Sequence, residues 1–173
     1  MKEIFVDIVD DHDEVVATCS LSRVFEHGYL NQIRMVKLFI INYDKELLLC
    51  RNALAKKGQD LFDVPLTAIV HVGETYEDAL IRSVCEIFNF DISNMPYHLL
   101  GKLSVEDGTD CFTEVYELTY NELPDFSETK FNDFFWEKPL DIITQLSKTG
   151  EGEKSLSLCL KHFYFDCQNN LSC

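Results

Sequence analysis

The chain has 173 residues, 46% hydrophobic and 26% charged, with only 7 Gly and 4 Pro, a balance that excludes disordered and fibrous polymers. Its length fits a single globular domain spanning residues 1–173. Acidic residues outnumber basic ones 30 to 15, a formal net charge of −15 whose field repels phosphate backbones and anionic bilayers, so neither nucleic acid nor membrane is an expected partner.

In chain order, Glu3–Val9 is short and β-branched, ends in the turn Asp10-Asp11-His12-Asp13, and is followed by Glu14–Thr18, which predicts an opening hairpin. Ser22–Glu26, with Gly28 behind it as a stop, predicts a short helix or turn. The strongest β signal runs from Arg34 to Arg51: two nearly continuous apolar runs flank Asn42-Tyr43-Asp44-Lys45, as expected of a hairpin buried on both faces. Ala53–Gln59, with Lys56-Lys57, reads as an exposed basic connector. Phe62–Val70 returns to strand composition, with Pro65 forcing an edge or an irregularity.

Thr75 then opens a helix as N-cap, with Asp78 three residues on, and Ala79, Leu80, Val84, Ile87 and Phe88 recur at helical spacing before Asn89. Leu99–Leu103 and Cys111–Leu118 predict strands separated by the acidic loop Glu106–Asp110. In the second, Phe112, Glu114, Tyr116 and Leu118 share one face and Thr113, Val115 and Glu117 the other. Phe134–Trp136 predicts a short strand, and Pro139–Leu146 and Leu156–Phe165 predict helices joined by a flexible link, Thr149–Glu153. Residues 167–173 read as a polar tail.

Cys19, Cys50, Cys85, Cys111, Cys159, Cys167 and Cys173 show no metal-type pairing and are expected as free thiols in a reducing compartment. The histidines, His12, His27, His71, His98 and His162, show no paired ligand spacing either. Met1-Lys2-Glu3-Ile4 lacks the pattern of a secretory leader, and no apolar run reaches the roughly 18 residues of a membrane helix, so a cytoplasmic location is expected.

Over about residues 3–166, the order of elements and the segment Gly73-Glu74-Thr75-Tyr76-Glu77-Asp78-Ala79-Leu80-Ile81-Arg82 resemble the Nudix hydrolase family, in its branch similar to isopentenyl diphosphate isomerase. That family's signature reads Gly, five residues, Glu, seven residues, Arg-Glu, an aliphatic, any residue, Glu-Glu, any residue, Gly, an aliphatic. Glu74, Arg82, Val84, Glu86 and Phe90 fit it. The opening glycine is replaced by Ala68 and its usual glycine neighbour by Thr67. The glutamate after the arginine is Ser83, the second of the glutamate pair is Ile87, and the closing glycine is Asn89. The box is therefore degenerate, keeping one of three helical carboxylates.

The resemblance implies an α/β fold, a Nudix-type α/β/α sandwich with a mixed central sheet, in which Gly73, Glu74 and Arg82 have structural roles. It further implies Mg²⁺, or Mn²⁺, held by Glu86 as the surviving ligand and catalytic residue, and hydrolysis of nucleoside diphosphate derivatives or other organic diphosphates. The cations are needed because the departing phosphate spreads charge over several oxygens, and one turn of helix places positions 83, 86 and 87 along a common face. Ser83 is a weak ligand and Ile87 is none. Glu77, Asp78, Glu106, Asp107, Asp110 and Glu114 are carboxylates that could compensate, and Glu86 could equally pair with Arg82 at i,i+4.

Among Arg34, Lys37, Arg51, Lys56 and Lys57, which flank the hairpin where related proteins receive anionic substrate, Arg51 is the best phosphate contact. Two function classes follow: a diphosphate hydrolase with weak or lost activity, or a non-catalytic binder of a small diphosphate-containing ligand or of a protein. The isomerase reading is weaker, because no cysteine lies in Phe62–Val70, although Glu114 falls near that family's acidic strand.

Overall fold

The computed structural model describes residues 3–52, 62–124, 131–150 and 152–166. The Lys56-Lys57 connector and the 167–173 tail lie outside them. Strands β1 (Phe5–Val9) and β2 (Val15–Ser20) form the expected opening hairpin, hydrogen-bonded as a two-stranded sheet of its own. Helix α1 (Leu21–His27) ends at Gly28, whose φ of 74° is the left-handed stop that glycine adopts without strain.

Seven strands make the main sheet: β3 (Arg34–Ile41), β4 (Leu47–Asn52), β5 (Phe62–Asp63), β6 (Leu66–Ile69), β7 (Tyr97–Leu103), β8 (Phe112–Thr119) and β9 (Phe131–Glu137). The sheet is mixed. β3 runs parallel to β8 over its whole length, Arg34↔Phe112 to Ile41↔Thr119, and antiparallel to its other neighbours. β4 meets β3 at Ile41↔Leu47, and β6 lines the first half of the same edge, Met35↔Ile69 to Leu38↔Leu66. Pro65 falls in the break between β5 and β6, where a ladder donor is not required.

Strand parity sorts the core into two layers. Val36, Leu38 and Ile40, with Tyr116 and Leu118, face helix α2 (Tyr76–Phe88) and meet its buried Ala79, Leu80, Val84 and Phe88. Phe39, Ile41, Leu47, Leu49 and Val115 face helices α3 (Pro139–Thr149) and α4 (Lys154–Leu160), meeting Ile142, Leu146, Leu156 and Leu160. The result is an α/β/α sandwich, each fully buried Leu or Ile contributing roughly 1.5–3 kcal/mol of transfer free energy. Among the described residues no helix is long and apolar enough to cross a membrane.

Several boundaries differ from the sequence-based expectation. β9 is more than twice the predicted length because it pairs along the whole of β4, from Leu47↔Glu137 to Asn52↔Phe131. The last helix starts earlier, at Lys154, and widens into a π-helical turn, Lys161–Asp166. Within the supposed flexible link, Gly150 caps α3 in the left-handed conformation, Gly152 bridges to Phe62, and the Glu153 amide donates to Phe62 O at 3.0 Å.

Candidate functional site

The loop before α2 is built by capping chemistry. Thr75 Oγ1 accepts from the Asp78 amide at 3.1 Å while Asp78 Oδ2 accepts from the Thr75 amide at 3.0 Å, so two orphan donors at the helix start are satisfied reciprocally. Gly73 turns the chain at φ 75°, and its amide donates to Asp7 Oδ2 at 2.9 Å. Arg82 reaches back from the helix to Glu74 with a two-pronged bridge, Nε–Oε1 2.6 Å and Nη2–Oε2 2.9 Å, and Nη2 also donates to Ile69 O at 3.0 Å. Burial opposes charge on Glu74, but Arg82 and the His71 amide hold its carboxyl below the usual range. This pair clamps loop to helix.

The positions expected to carry metal diverge. Ser83 is 2% exposed, and its hydroxyl accepts from Arg82 Nη1 at 3.3 Å. Ile87 packs against the α2-side core. Glu86 faces solvent with 60% of its side chain exposed, 3.4 Å from Arg82 at i,i+4. It lies with Glu3, Ile4, His71 and Glu74 along an open cleft of about 550 Å³.

Four of the carboxylates that could have compensated are engaged elsewhere. Asp78 and Asp107 sit in capping boxes, Glu77 accepts from Tyr97 Oη at 2.5 Å, and Glu114 accepts from Tyr116 Oη at 2.6 Å. Asp110 lines a different cavity. Among the described residues, no three His, Cys, Asp or Glu side chains are grouped to hold a metal ion.

That other cavity, about 240 Å³, lies beside Lys37, Asp63, Thr67, Asp110, Thr113 and Ser155. Lys37 was expected at a basic flank, but it is 2% exposed, because odd positions of β3 point inward toward α4. Its Nζ donates to Asp63 Oδ1 at 2.9 Å and Oδ2 at 3.1 Å and to Ser155 Oγ at 2.8 Å, with Glu153 at 3.6 Å. Burial opposes the ammonium charge, yet Asp63 and Glu153 together hold its pKa above the ordinary lysine value. For Asp63 burial dominates and pushes the carboxyl up. Burial likewise pushes the nearby thiols of Cys111 and Cys159 up to about 11, so they are protonated and inert at neutral pH.

A second charged cluster was missed by the sequence reading. Asp13, in the β1–β2 turn, receives Arg34 Nε at 2.6 Å, Tyr76 Oη at 2.9 Å and Lys102 Nζ. Arg51 lies on β4 opposite Phe62 and Asp133 and lines neither the Glu86 cleft nor the Lys37 cavity. Cys19, Cys50, Cys85, Cys111 and Cys159 are free thiols.

No family model matches the chain. It is 32% identical over 161 residues, 92% of this chain and 95% of the relative, to an uncharacterised Nudix hydrolase of Nostoc sp.. It is 28% identical over 151 residues, 86% of each, to a Nudix hydrolase of Deinococcus radiodurans. Among solved structures, DR0079 of Deinococcus radiodurans superposes with a TM-score of 0.82 at 24% identity, covering 92% of this chain and 99% of that one. The MutT protein of Methanosarcina mazei Go1 gives a TM-score of 0.56 at 18% identity, covering 79% and 94%. Both structural likenesses are likenesses of fold.

Proposed function

Because the chain belongs to the Nudix family, we propose that it keeps the family's scaffold while hydrolysis of organic diphosphates is weak or lost, and that it binds a small diphosphate-containing ligand. Position 87 supports this most directly: a half-buried isoleucine packed against the α2-side core stands where the box calls for an anionic ligand. Ser83 is sealed beneath Arg82, and Glu86 leans on the same guanidinium. Mg²⁺ or Mn²⁺, which supplies charge neutralisation and an activated water when bound by an active member, does not fit this donor set, since it requires several hard oxygens in near-octahedral order.

What the chain's own residues do is hold shape. Glu74 and Arg82 fix the loop, and the capping box fixes the helix start. Isomerase chemistry has less support, as no cysteine lies in Phe62–Val70 and Glu114 is bonded to Tyr116. The alternative is a metal-dependent hydrolase with Glu86 as its remaining ligand.

Calorimetric titration of Mg²⁺ and Mn²⁺, with and without a nonhydrolysable nucleoside diphosphate analogue, separates the two. We expect no saturable binding up to millimolar metal, and turnover of a nucleoside diphosphate panel at the uncatalysed rate. Metal binding that disappears in Glu86→Gln would overturn this and restore the hydrolase. As a converse test, Ser83→Glu with Ile87→Glu should raise Mg²⁺ affinity; no gain would show that the helix positions are misassigned.

A further inference from the structure

Arg34 and Lys102 reach from different strands of the main sheet to a single carboxylate, Asp13, which belongs to the separate β1–β2 sheet. Tyr76, the first residue of α2, lies between them: the Arg34 guanidinium is 5.5 Å and the Lys102 ammonium 4.7 Å from its ring centre, and its hydroxyl donates to Asp13 Oδ2. Arg34 Nη2 adds a bond to the Asp13 carbonyl. To the bonds at Asp13 the body therefore supplies two cations and a phenol, and the hairpin turn supplies the one carboxylate that accepts them. Lys102 keeps 38% of its side chain in solvent, which opens one side of the cluster.

The geometry points to an oxyanion receptor made by Arg34, Lys102 and Tyr76, in which Asp13 stands in for a phosphate or diphosphate group that displaces it. A diphosphate matches the receptor better than one carboxylate does. It carries at least two negative charges for the two cations, and it has enough oxygens to take the donors that one carboxylate leaves over, Arg34 having five N–H groups and Lys102 three. Glu114, which faces Tyr76 from β8, and Asp7, which faces Arg34 from β1, set a repulsive limit on how much anion the site accepts. This assignment rests on the diphosphate-ligand reading above and supplies, without metal, the charge neutralisation that the box helix lacks.

The test is calorimetric titration of inorganic pyrophosphate in EDTA into the full chain, as wild type, Asp13→Asn and Asp13→Asn/Lys102→Gln. Asp13→Asn should bind at least about 10-fold more tightly than wild type, because the resident carboxylate no longer competes, and the added Lys102→Gln should cancel the gain. Unchanged or weaker binding in folded Asp13→Asn overturns the receptor.

Hydrogen exchange on wild type guards against a variant that fails to fold. Saturating pyrophosphate should speed exchange of the Asp13 and Glu14 amides, which are bonded to Asp10 in the closed hairpin; unaltered exchange also overturns the receptor. With metal chelated and binding as the readout, failure here leaves the metal titration above to decide the hydrolase question separately.

Discussion

A lysine ammonium with 2% of its side chain exposed persists only because acceptors surround it, and Lys37 has Asp63, Ser155 and Glu153. Lys37→Met would leave the Asp63 and Glu153 carboxylates partly buried without a counter-charge. It should cost about 3 kcal/mol, at the lower end for a broken buried pair because Asp63 keeps a quarter of its side chain in water. Adding Asp63→Asn should recover much of that loss. Urea midpoints of the two variants check this, and a Lys37→Met cost below about 1 kcal/mol would mean the cluster is already hydrated. The sequence reading set Lys37 with the basic flank of the hairpin, although the apolar run Met35–Ile41 around it was expected to be buried on both faces. The partners of Lys37 were not legible, because Ser155 lies 118 positions away. The same limit hid Asp13, which reads locally as one more turn residue between Asp10 and Glu14.

At the level of elements, α2 was the most legible part of the fold, since its cap, period and stop all lie within fifteen neighbouring positions, Thr75 to Asn89. Asn89 ends it at φ 55°, in the left-handed region that asparagine tolerates and glycine prefers. Asn89→Gly should therefore be neutral or slightly stabilising, whereas Asn89→Ala should cost about 1 kcal/mol. Thermal unfolding of both variants checks the sign, and equal melting temperatures would show that the cap is not under conformational strain. The cap therefore fixes the shape of α2, while Ile87 packs against the core and Ser83 is buried beside Arg82. Ile87 already fell on the apolar period of the helix, whereas the sealing of Ser83 needed the fold, because periodicity along a helix does not reveal what the neighbouring side chains cover.

For the whole molecule, net charge and ion pairs act in opposite directions on acidification. Protonation relieves the self-repulsion of a chain at −15, yet it also discharges carboxylates that the fold has committed to partners. The Glu74 pKa is depressed in the fold, so its stabilisation is fully present above the unfolded value of about 4.3 and is lost as pH falls through the lower folded value. Arg82→Met should accordingly destabilise most at neutral pH, and its deficit relative to wild type should shrink as pH falls below about 4. Melting curves across pH 3–7 test this; a deficit independent of pH would assign the role of Arg82 to packing. Composition made the acidity plain, but which carboxylates are engaged follows only from topology.

The parallel pairing of β3 with β8 also has a consequence for how the chain is made. Arg34 and Phe112 are partners separated by 78 positions, 112 minus 34, so one long edge of an almost wholly apolar strand waits for its neighbour to be synthesised. At ribosomal rates that delay is on the order of 4–16 s, far longer than a hairpin takes to close. The opposite edge is covered earlier, by β4 and β6. During that interval the nascent polypeptide presents a ready template for mispairing with other chains, which makes β3 the place where chaperone protection of this protein is most needed.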